Sequence, residues 1–317
     1  TLLAKRIDFR LQAKISIISS VVSGAVAIIM AFAGYGVWSL VIKTITTYLV
    51  ISILIWVLNE WRPSLIFSVS SIRELFAFGS NLLISGLIDT IYRNVYYIVI
   101  GKYFSARELG YYTTAEQFNN LPSSNLSTVV QRVSYPVLSS IKEDMPKLRE
   151  AYKKLIKSTM FICFVLMLGL FAVSRNLILA LIGLKWETSI VYLQMLCFVG
   201  MFHPLHALNL NMLQVEGRSD LFLRIEIIKK TLAVPVIIVG VFLGIKALII
   251  SMIIVNIFAY FLNSHWSGRF LGYSSWEQLA DIFPSFIIAG AVSLAVLTEG
   301  IFLDFPPALL LTIQLLT

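Results

Sequence analysis

Charged residues are scarce in this chain of 317 residues. They make up 13% of it, against about 25% in a typical soluble domain. Hydrophobic residues make up 58%, and the mean hydropathy is +0.85. They form long continuous runs rather than the short alternating segments of a β-barrel. The composition therefore excludes an ordinary soluble domain and predicts an all-α, polytopic membrane helix bundle.

Residues that commonly build reactive centres are also few. Cys163 and Cys197 both fall in apolar runs, so they indicate no disulfide scaffold. His203 and His206 share a helix face, but no neighbouring Cys or Asp completes the three or four ligands that zinc needs. The sequence has no Gly-rich phosphate loop, nucleophile elbow or acidic metal cluster. We therefore predict no metal, no cofactor and no enzymatic activity.

Apolar runs long enough to cross a bilayer recur along the whole chain. A spanning helix needs about 20 mostly apolar residues. Lysine and arginine concentrate in alternate loops, which predicts a cytoplasmic N-terminal end. The net charge of +8 then reflects cytoplasmic loops rather than nucleic-acid binding. Ten spans are predicted, at 15–33, 36–57, 74–100, 109–138, 154–174, 187–213, 221–243, 246–264, 279–297 and 301–317.

Two of these regions look like copies of each other. Aligned without gaps, residues 14–38 and 224–248 share a row of identical apolar residues and one glycine. Duplicated helical bundles are typical of transporters, so we predict two pseudo-symmetric lobes. Because no helices precede the first copy, we expect the chain to lack the first helices of lobe one. The predicted division is 1–62 for the last two helices of the first lobe, 63–73 for a cytoplasmic inter-lobe loop, 74–265 for a six-helix second lobe and 266–317 for additional C-terminal helices.

Ionisable residues within a span are candidates for function, since they are costly in lipid. Asp89 and Arg93 lie one helical turn apart and can meet on one face. We interpret Arg93 as a contact for an anionic headgroup, because its planar fork suits diphosphate. The alternative is an internal ion pair that holds the bundle together. Lys43 is a second candidate cation in its own span, or else it pairs with an acid elsewhere.

The span 109–138 is unusually polar. Its polar residues recur at helical spacing and should face protein or a water-filled cavity. We predict that Gln117, Asn120 and Gln131 line this cavity. Arg132 either joins them or extends to the cytoplasmic headgroups.

Two further residues of the spans are candidates for proton coupling. They are Glu116 and His206, for which a buried structural role is the alternative. At the cytoplasmic entrance we expect Lys229 and Lys230 to bind anionic lipid.

Several motifs resemble one known family. They are Phe78-Gly79, Ile100-Gly101-Lys102 and Leu109-Gly110-Tyr111-Tyr112, with residues 4–41 and 129–144 also fitting. Across most of residues 1–270 the chain resembles the polysaccharide transporter family, the Wzx-type flippases of the multidrug/oligosaccharidyl-lipid/polysaccharide exporter superfamily. Within that family it is most similar to the colanic-acid and teichuronic-acid exporters.

The resemblance implies two helical lobes around a cavity that alternates between the faces of the bacterial cytoplasmic (inner) membrane. The expected substrate is an isoprenoid-diphosphate-linked oligosaccharide, flipped for surface polysaccharide biosynthesis. Expected partners are membrane lipids, a polysaccharide polymerase and a chain-length regulator. Two alternatives stay open, namely a cation-coupled multidrug exporter of the same fold and a membrane-embedded polysaccharide polymerase or acyltransferase.

Arg93→Ala tests the assignment of the headgroup contact. We expect the change to abolish transport while leaving folding intact, because it removes the charge that offsets phosphate desolvation. Complementation of cells that lack the gene measures transport, and thermal unfolding of the purified protein checks the fold. Transport at the wild-type rate would remove Arg93 from the site.

Overall fold

A computed structural model describes residues 9–36, 38–58, 68–302 and 305–316. Within these residues the regular secondary structure is entirely helical, and the fold is an all-α membrane bundle, as predicted. Eight of the ten predicted spans each coincide closely with one helix; the exceptions are 187–213, which is divided, and 301–317, which includes the short helix Pro307–Leu316. Residues 63–67 of the predicted loop 63–73 lie outside the described residues, and residues 69–73 are helical, so the loop is shorter than predicted. The α-helices are α1 Phe9–Phe32, α2 Trp38–Leu58, α3 Val69–Tyr103, α4 Ala106–Ser140, α5 Met145–Leu181, α6 Glu187–Gly200, α7 His203–Val215, α8 Ser219–Leu243, α9 Ile245–Leu271, α10 Ser275–Phe302 and α11 Pro307–Leu316.

Six helical stretches of the described residues are long and apolar enough to cross a membrane by length and composition. They are Arg10–Phe32, Trp38–Leu58, Met145–Leu181, Leu184–Val215, Ile245–Leu271 and Ser275–Gly300. The helices α3, α4 and α8 carry more polar and charged residues, and α11 is short. The polar helices are therefore those whose surfaces need partners inside the protein.

The chain divides into two compact units, Thr1–Ser70 and Ser71–Thr317. In the first unit, α1 and α2 pack against each other as a helical hairpin. Its serines turn their hydroxyls back onto the backbone, as Ser19 does to the carbonyl of Ser16 at 3.0 Å. This local bond satisfies a hydroxyl within an apolar helix without a partner from elsewhere.

The second unit is organised around α5, which packs against α4, α6, α7, α9, α10 and α11. Asp144 caps the start of α5 by accepting a hydrogen bond from the backbone N–H of Lys147 at 3.1 Å. Large apolar side chains of α5, including Ile156 and Met160, are buried in the main core. Burial of this kind stabilises the fold by about 25 cal/mol per Å² of apolar surface when the reference is water.

Buried polar side chains join four helices of this unit. Asn209 on α7 accepts hydrogen bonds from Tyr152 on α5, at 3.2 Å, and from Ser267 on α9. Its amide donates to Gln278 on α10 at 3.4 Å. All four side chains are fully buried. Because an unpaired buried polar group costs about 1–3 kcal/mol, this cluster fixes the helices in one arrangement.

The C-terminal helices attach to α5 through polar contacts of their own. Asn176 on α5 donates to Gln314 on α11 at 2.8 Å, and Gln314 donates to the carbonyl of Val296 on α10 at 2.9 Å. Near the other end of α5, Lys153 and Lys157 pair with Asp281 on α10 at 2.9 and 3.3 Å. These contacts seat α10 and α11 along α5.

The predicted span 187–213 is interrupted. Helix α6 ends at Gly200 and α7 begins at His203, so a single continuous helix there is wrong. Pro204 lies in the first turn of α7, where its missing N–H is tolerated. The same missing N–H leaves the carbonyl of Gly200 without the regular helical bond. The break therefore follows from Pro204, and it places His203 and His206 at the start of a new helix.

The two similar segments adopt the same local fold. Each is a helix followed by a short turn and a second helix, α1–α2 in one and α8–α9 in the other. The aligned glycines of the two turns, Gly34 and Gly244, both have positive φ, at 84° and 101°. Few residues other than glycine adopt this conformation readily. The turn position is thus a shared structural requirement of both segments.

Gly240→Ala is expected to lower the stability of the second unit by about 1–3 kcal/mol. A Cβ at Gly240 would lie 2.8 Å from the backbone Cα of Leu248, so α8 and α9 would have to separate. Gly290→Ala on α10 is the matched control, since nothing lies within 4 Å of its added Cβ. Thermal unfolding of the detergent-solubilised protein measures both, and equal midpoints would contradict the close α8–α9 packing.

Candidate functional site

An open groove runs along the polar face of α4. Its volume is about 650 Å³. It is lined by Gln117, Phe118, Asn120, Leu121, Ser124 and Asn125. Two of the predicted cavity residues, Gln117 and Asn120, therefore lie together in one groove. Amide and hydroxyl groups beside apolar side chains can hydrogen-bond a polar ligand while packing against its less polar faces.

The remaining polar residues of α4 divide between packing and exposure. Ser134 is buried and accepts a hydrogen bond from Asn211 on α7 at 2.8 Å. Gln131 and Arg132 are exposed, and they are not among the residues that line the groove. The polar residues of α4 thus have two roles. Those in the first half of the helix line a groove, and Ser134 in the second half packs against α7.

Asp89 belongs to a charged cluster between α3 and α8. It accepts a hydrogen bond from Lys230 at 2.8 Å. The Lys230 amine also lies 4.0 Å from the centre of the Tyr92 ring, a cation–π contact. The side chain of Arg93, the predicted partner of Asp89, lies outside the described residues. The contact with Lys230 joins Asp89 to a helix that is distant in sequence.

Glu226 and Lys229 complete this cluster on α8. They form an ion pair in which the exposed fractions of the side chains are only 7% and 11%. Glu226 also lies 3.8 Å from Lys230. Lys229 and Lys230, which we expected to bind anionic lipid, both face carboxylates inside the unit.

Tyrosines connect α3 to α4 beside the cluster. Tyr97 donates a hydrogen bond to Glu116 at 2.6 Å, and its ring packs edge-on against Tyr112. Tyr92 and Tyr96 are hydrogen-bonded through their hydroxyls. Glu116 is half-buried and engaged by Tyr97, so its carboxylate contributes to the α3–α4 contact.

His206 bonds two amides of α9. Its Nε2 lies 3.1 Å from Asn256 Oδ1, and its Nδ1 lies 3.0 Å from Asn263 Nδ2. Asn256 Nδ2 already donates to the carbonyl of Met252, so Asn256 offers its oxygen to the ring. One nitrogen therefore donates and the other accepts, which suits a neutral imidazole. These contacts favour a structural role for His206 over proton transfer.

Lys43, the remaining predicted cation, lies on α2 in the first unit and is exposed. Within the described residues, no three His, Cys, Asp or Glu side chains come close enough to hold a metal ion. What the sequence reasoning missed is the link between Asp89 and Lys230. The aligned repeat contained a signal for it, because Ser16, Ser19 and Ser20 stand in the first copy where Glu226, Lys229 and Lys230 stand in the second.

Comparisons with known proteins identify relatives of the chain. Residues 1–191 match the sequence model of a protein family whose description is "polysaccharide biosynthesis protein". The chain is 30% identical over 222 residues to the teichuronic acid biosynthesis protein TuaB of Bacillus subtilis, covering 69% of this chain and 46% of TuaB. It is 30% identical over 209 residues to the lipopolysaccharide biosynthesis protein WzxC of Escherichia coli, covering 64% of this chain and 42% of WzxC. The chain thus spans less than half the length of these relatives.

A solved structure shares the fold. It is the lipid II flippase MurJ in an inward closed conformation. The two structures superpose over 94% of this chain and 64% of the MurJ chain, with a TM-score of 0.60 and 17% sequence identity. At this identity the likeness shows that the helices are arranged in the same fold.

His206→Phe is expected to destabilise the second unit by about 2–4 kcal/mol, because it leaves Asn256 and Asn263 without their shared partner. His265→Phe, at an exposed position of α9, is the matched control and should change stability little. Thermal unfolding of both variants measures the difference. A stable His206→Phe protein that has lost transport would instead support a proton-transfer role.

Proposed function

The chain belongs to the polysaccharide biosynthesis protein family, and from that premise we propose that it forms a large part of a lipid-linked oligosaccharide flippase. The substrate is an isoprenoid-diphosphate-linked repeat unit, which crosses the bacterial cytoplasmic (inner) membrane for surface polysaccharide biosynthesis. The protein moves its substrate and does not alter it chemically. Its relatives TuaB and WzxC are named for biosynthesis of such polymers.

The groove on α4 is the observation that carries this proposal. A glycan presents hydroxyls around its rings and apolar faces above and below them. Gln117, Asn120 and Ser124 can bond the hydroxyls, while Phe118 and Leu121 pack against the faces. In a bilayer such a polar surface is stable only against protein or water. A hydrophilic substrate that occupies the groove would explain why α4 carries this polar surface.

The charged end of the substrate needs cations, since an unpaired phosphate is costly to bring out of water. Arg93 remains our proposed contact from the sequence, together with Lys43 or Arg132. The hydrocarbon tail stays in the bilayer, so only the headgroup has to be enclosed. Alternating exposure of the cavity to the two sides of the membrane would then complete the transfer.

A multi-pass protein that delivers repeat units to the outer leaflet supplies whatever enzyme joins them there. A polysaccharide polymerase and a chain-length regulator are therefore the expected neighbours. Two acidic residues that could carry a coupling proton already have partners, since Glu116 bonds Tyr97 and Asp89 bonds Lys230. The ion gradient that drives transport is therefore to be identified by experiment.

Cells that lack the full-length gene should accumulate complete repeat units on the cytoplasmic leaflet and lose surface polysaccharide. We expect the wild-type gene to restore the polymer and Gln117→Leu/Asn120→Leu to fail, because leucines cannot bond sugar hydroxyls. Thr128→Val, an exposed position of α4 that does not line the groove, should restore it fully. Export of labelled repeat units and surface polymer are both measured.

Other outcomes would contradict the proposal. Normal polymer with new sensitivity to toxic dyes in the deleted strain would favour a drug exporter. Repeat units that reach the outer leaflet but stay unpolymerised would favour an enzyme. Full restoration by the double variant, with protein levels equal to wild type, would remove the groove from the transport path.

A further inference from the structure

Lys230 is held by three groups on two helices. Its amine lies 2.8 Å from Asp89 on α3 and 3.8 Å from Glu226 on α8. The ring of Tyr92, one turn from Asp89 on α3, covers the amine at 4.0 Å. The exposed fraction of the Lys230 side chain is 20%. It is therefore largely desolvated, and its charge interacts more strongly with neighbouring groups than it would in water.

The hairpin fold does not require these charges. In the first copy, α1 carries Ser16, Ser19 and Ser20 at the positions of Glu226, Lys229 and Lys230, and it forms the same helix and turn. Buried ion pairs also add little net stability over apolar side chains of similar size. A stability requirement thus explains the cluster poorly, and a function of the second copy explains it better.

The two carboxylates of the cluster differ in how easily each can be replaced. Glu226 is 7% exposed and already pairs with Lys229. Asp89 is 30% exposed, and its contact with Lys230 comes from a separate helix. A phosphate offers more negative charge and more acceptor oxygens than a carboxylate does. An incoming phosphate would therefore displace Asp89 from Lys230 and leave Glu226 in place.

We propose that Lys230 is a second phosphate-binding residue of this unit, in addition to Arg93, and that Asp89 occupies the phosphate position beside Lys230 until the substrate arrives. The ligand class is the diphosphate of an isoprenoid-linked glycan. The inference rests on the proposed function, for which it supplies a site for the anionic end of the substrate. Tyr92 covers Lys230 in both states, because the cation–π contact requires no acid.

The exchange has a consequence for the helices. The bond between Asp89 and Lys230 joins α3 to α8, and Asn81 donates to Ser219 between the same helices at 3.3 Å. Displacement of Asp89 removes the first bridge and leaves the second. Binding of the phosphate is thereby coupled to release of α3 from α8 on one side of the Asn81–Ser219 contact.

Binding of geranylgeranyl diphosphate to the purified full-length protein tests the exchange. Lys230→Gln should weaken the dissociation constant at least about tenfold, and Lys230→Arg should largely retain it. Asp89→Asn should tighten binding about three- to tenfold, because the competing carboxylate is gone. Inorganic diphosphate and geranylgeraniol serve as the other ligands, and both should bind at least about tenfold more weakly.

The pair formed by Lys157 and Asp281 provides matched controls. Its distance is 3.3 Å, and it joins α5 to α10. Lys157→Gln and Asp281→Asn remove one charge each, as the test variants do, so general charge effects cancel. Neither control should change the dissociation constant by more than about twofold.

The response to Asp89→Asn decides the proposal. Binding that is weakened or unchanged would overturn the exchange, because a structural or irrelevant carboxylate gives those results. Inorganic diphosphate that binds as tightly as the lipid would overturn the assignment to a lipid-linked substrate. If the wild-type protein restores surface polysaccharide while all variants bind the probe equally, this inference fails alone. If it neither restores polymer nor binds the probe, the proposed function fails as well.

Discussion

Inside a bilayer, a polar group has no water to bond, so each one needs a partner within the protein. This requirement explains which surfaces of the second unit meet. Asn209 draws bonds from α5, α9 and α10 into one buried cluster, and Gln314 ties α11 to α5 and α10. Apolar packing around α5 supplies area, but area alone does not select one arrangement of helices. The paired polar groups make that selection.

Not all of these polar contacts have the same character. The cluster around Asn209 is fully buried and built from neutral groups. It therefore presents no surface at which a ligand could replace one of its hydrogen bonds. The contact between Asp89 and Lys230 is partly exposed and charged, and the groove on α4 is open. Under the proposed function, the buried cluster would hold the helices in shape, while the polar surfaces on α3, α4 and α8 would respond to substrate.

The sequence predicted much of this architecture, and its failures have physical causes. Long apolar runs mark helices plainly, so the span 154–174 falls within α5. Helical spacing on α4 placed Gln117 and Asn120 together, because one helix carries both. The contact of Asp89 with Lys230 was not predicted, because Lys230 is on another helix and helical spacing says nothing about contacts between helices. The break before His203 was missed because Pro204 lies within an apolar run that is long enough for a complete span.

The central claim is that this protein carries a lipid-linked glycan across a membrane. Reconstitution of the purified full-length protein into liposomes, with a fluorescent isoprenoid-diphosphate oligosaccharide in both leaflets, tests it most directly. A membrane-impermeant quencher outside the vesicles reports the fraction of headgroups that reach the outer leaflet. The account predicts that quenching proceeds past the initial outer-leaflet fraction when the protein is present. The control conditions are that the protein is folded and inserted and that several ion gradients are applied. If quenching then stops at the same level as in protein-free liposomes, the result would contradict the account.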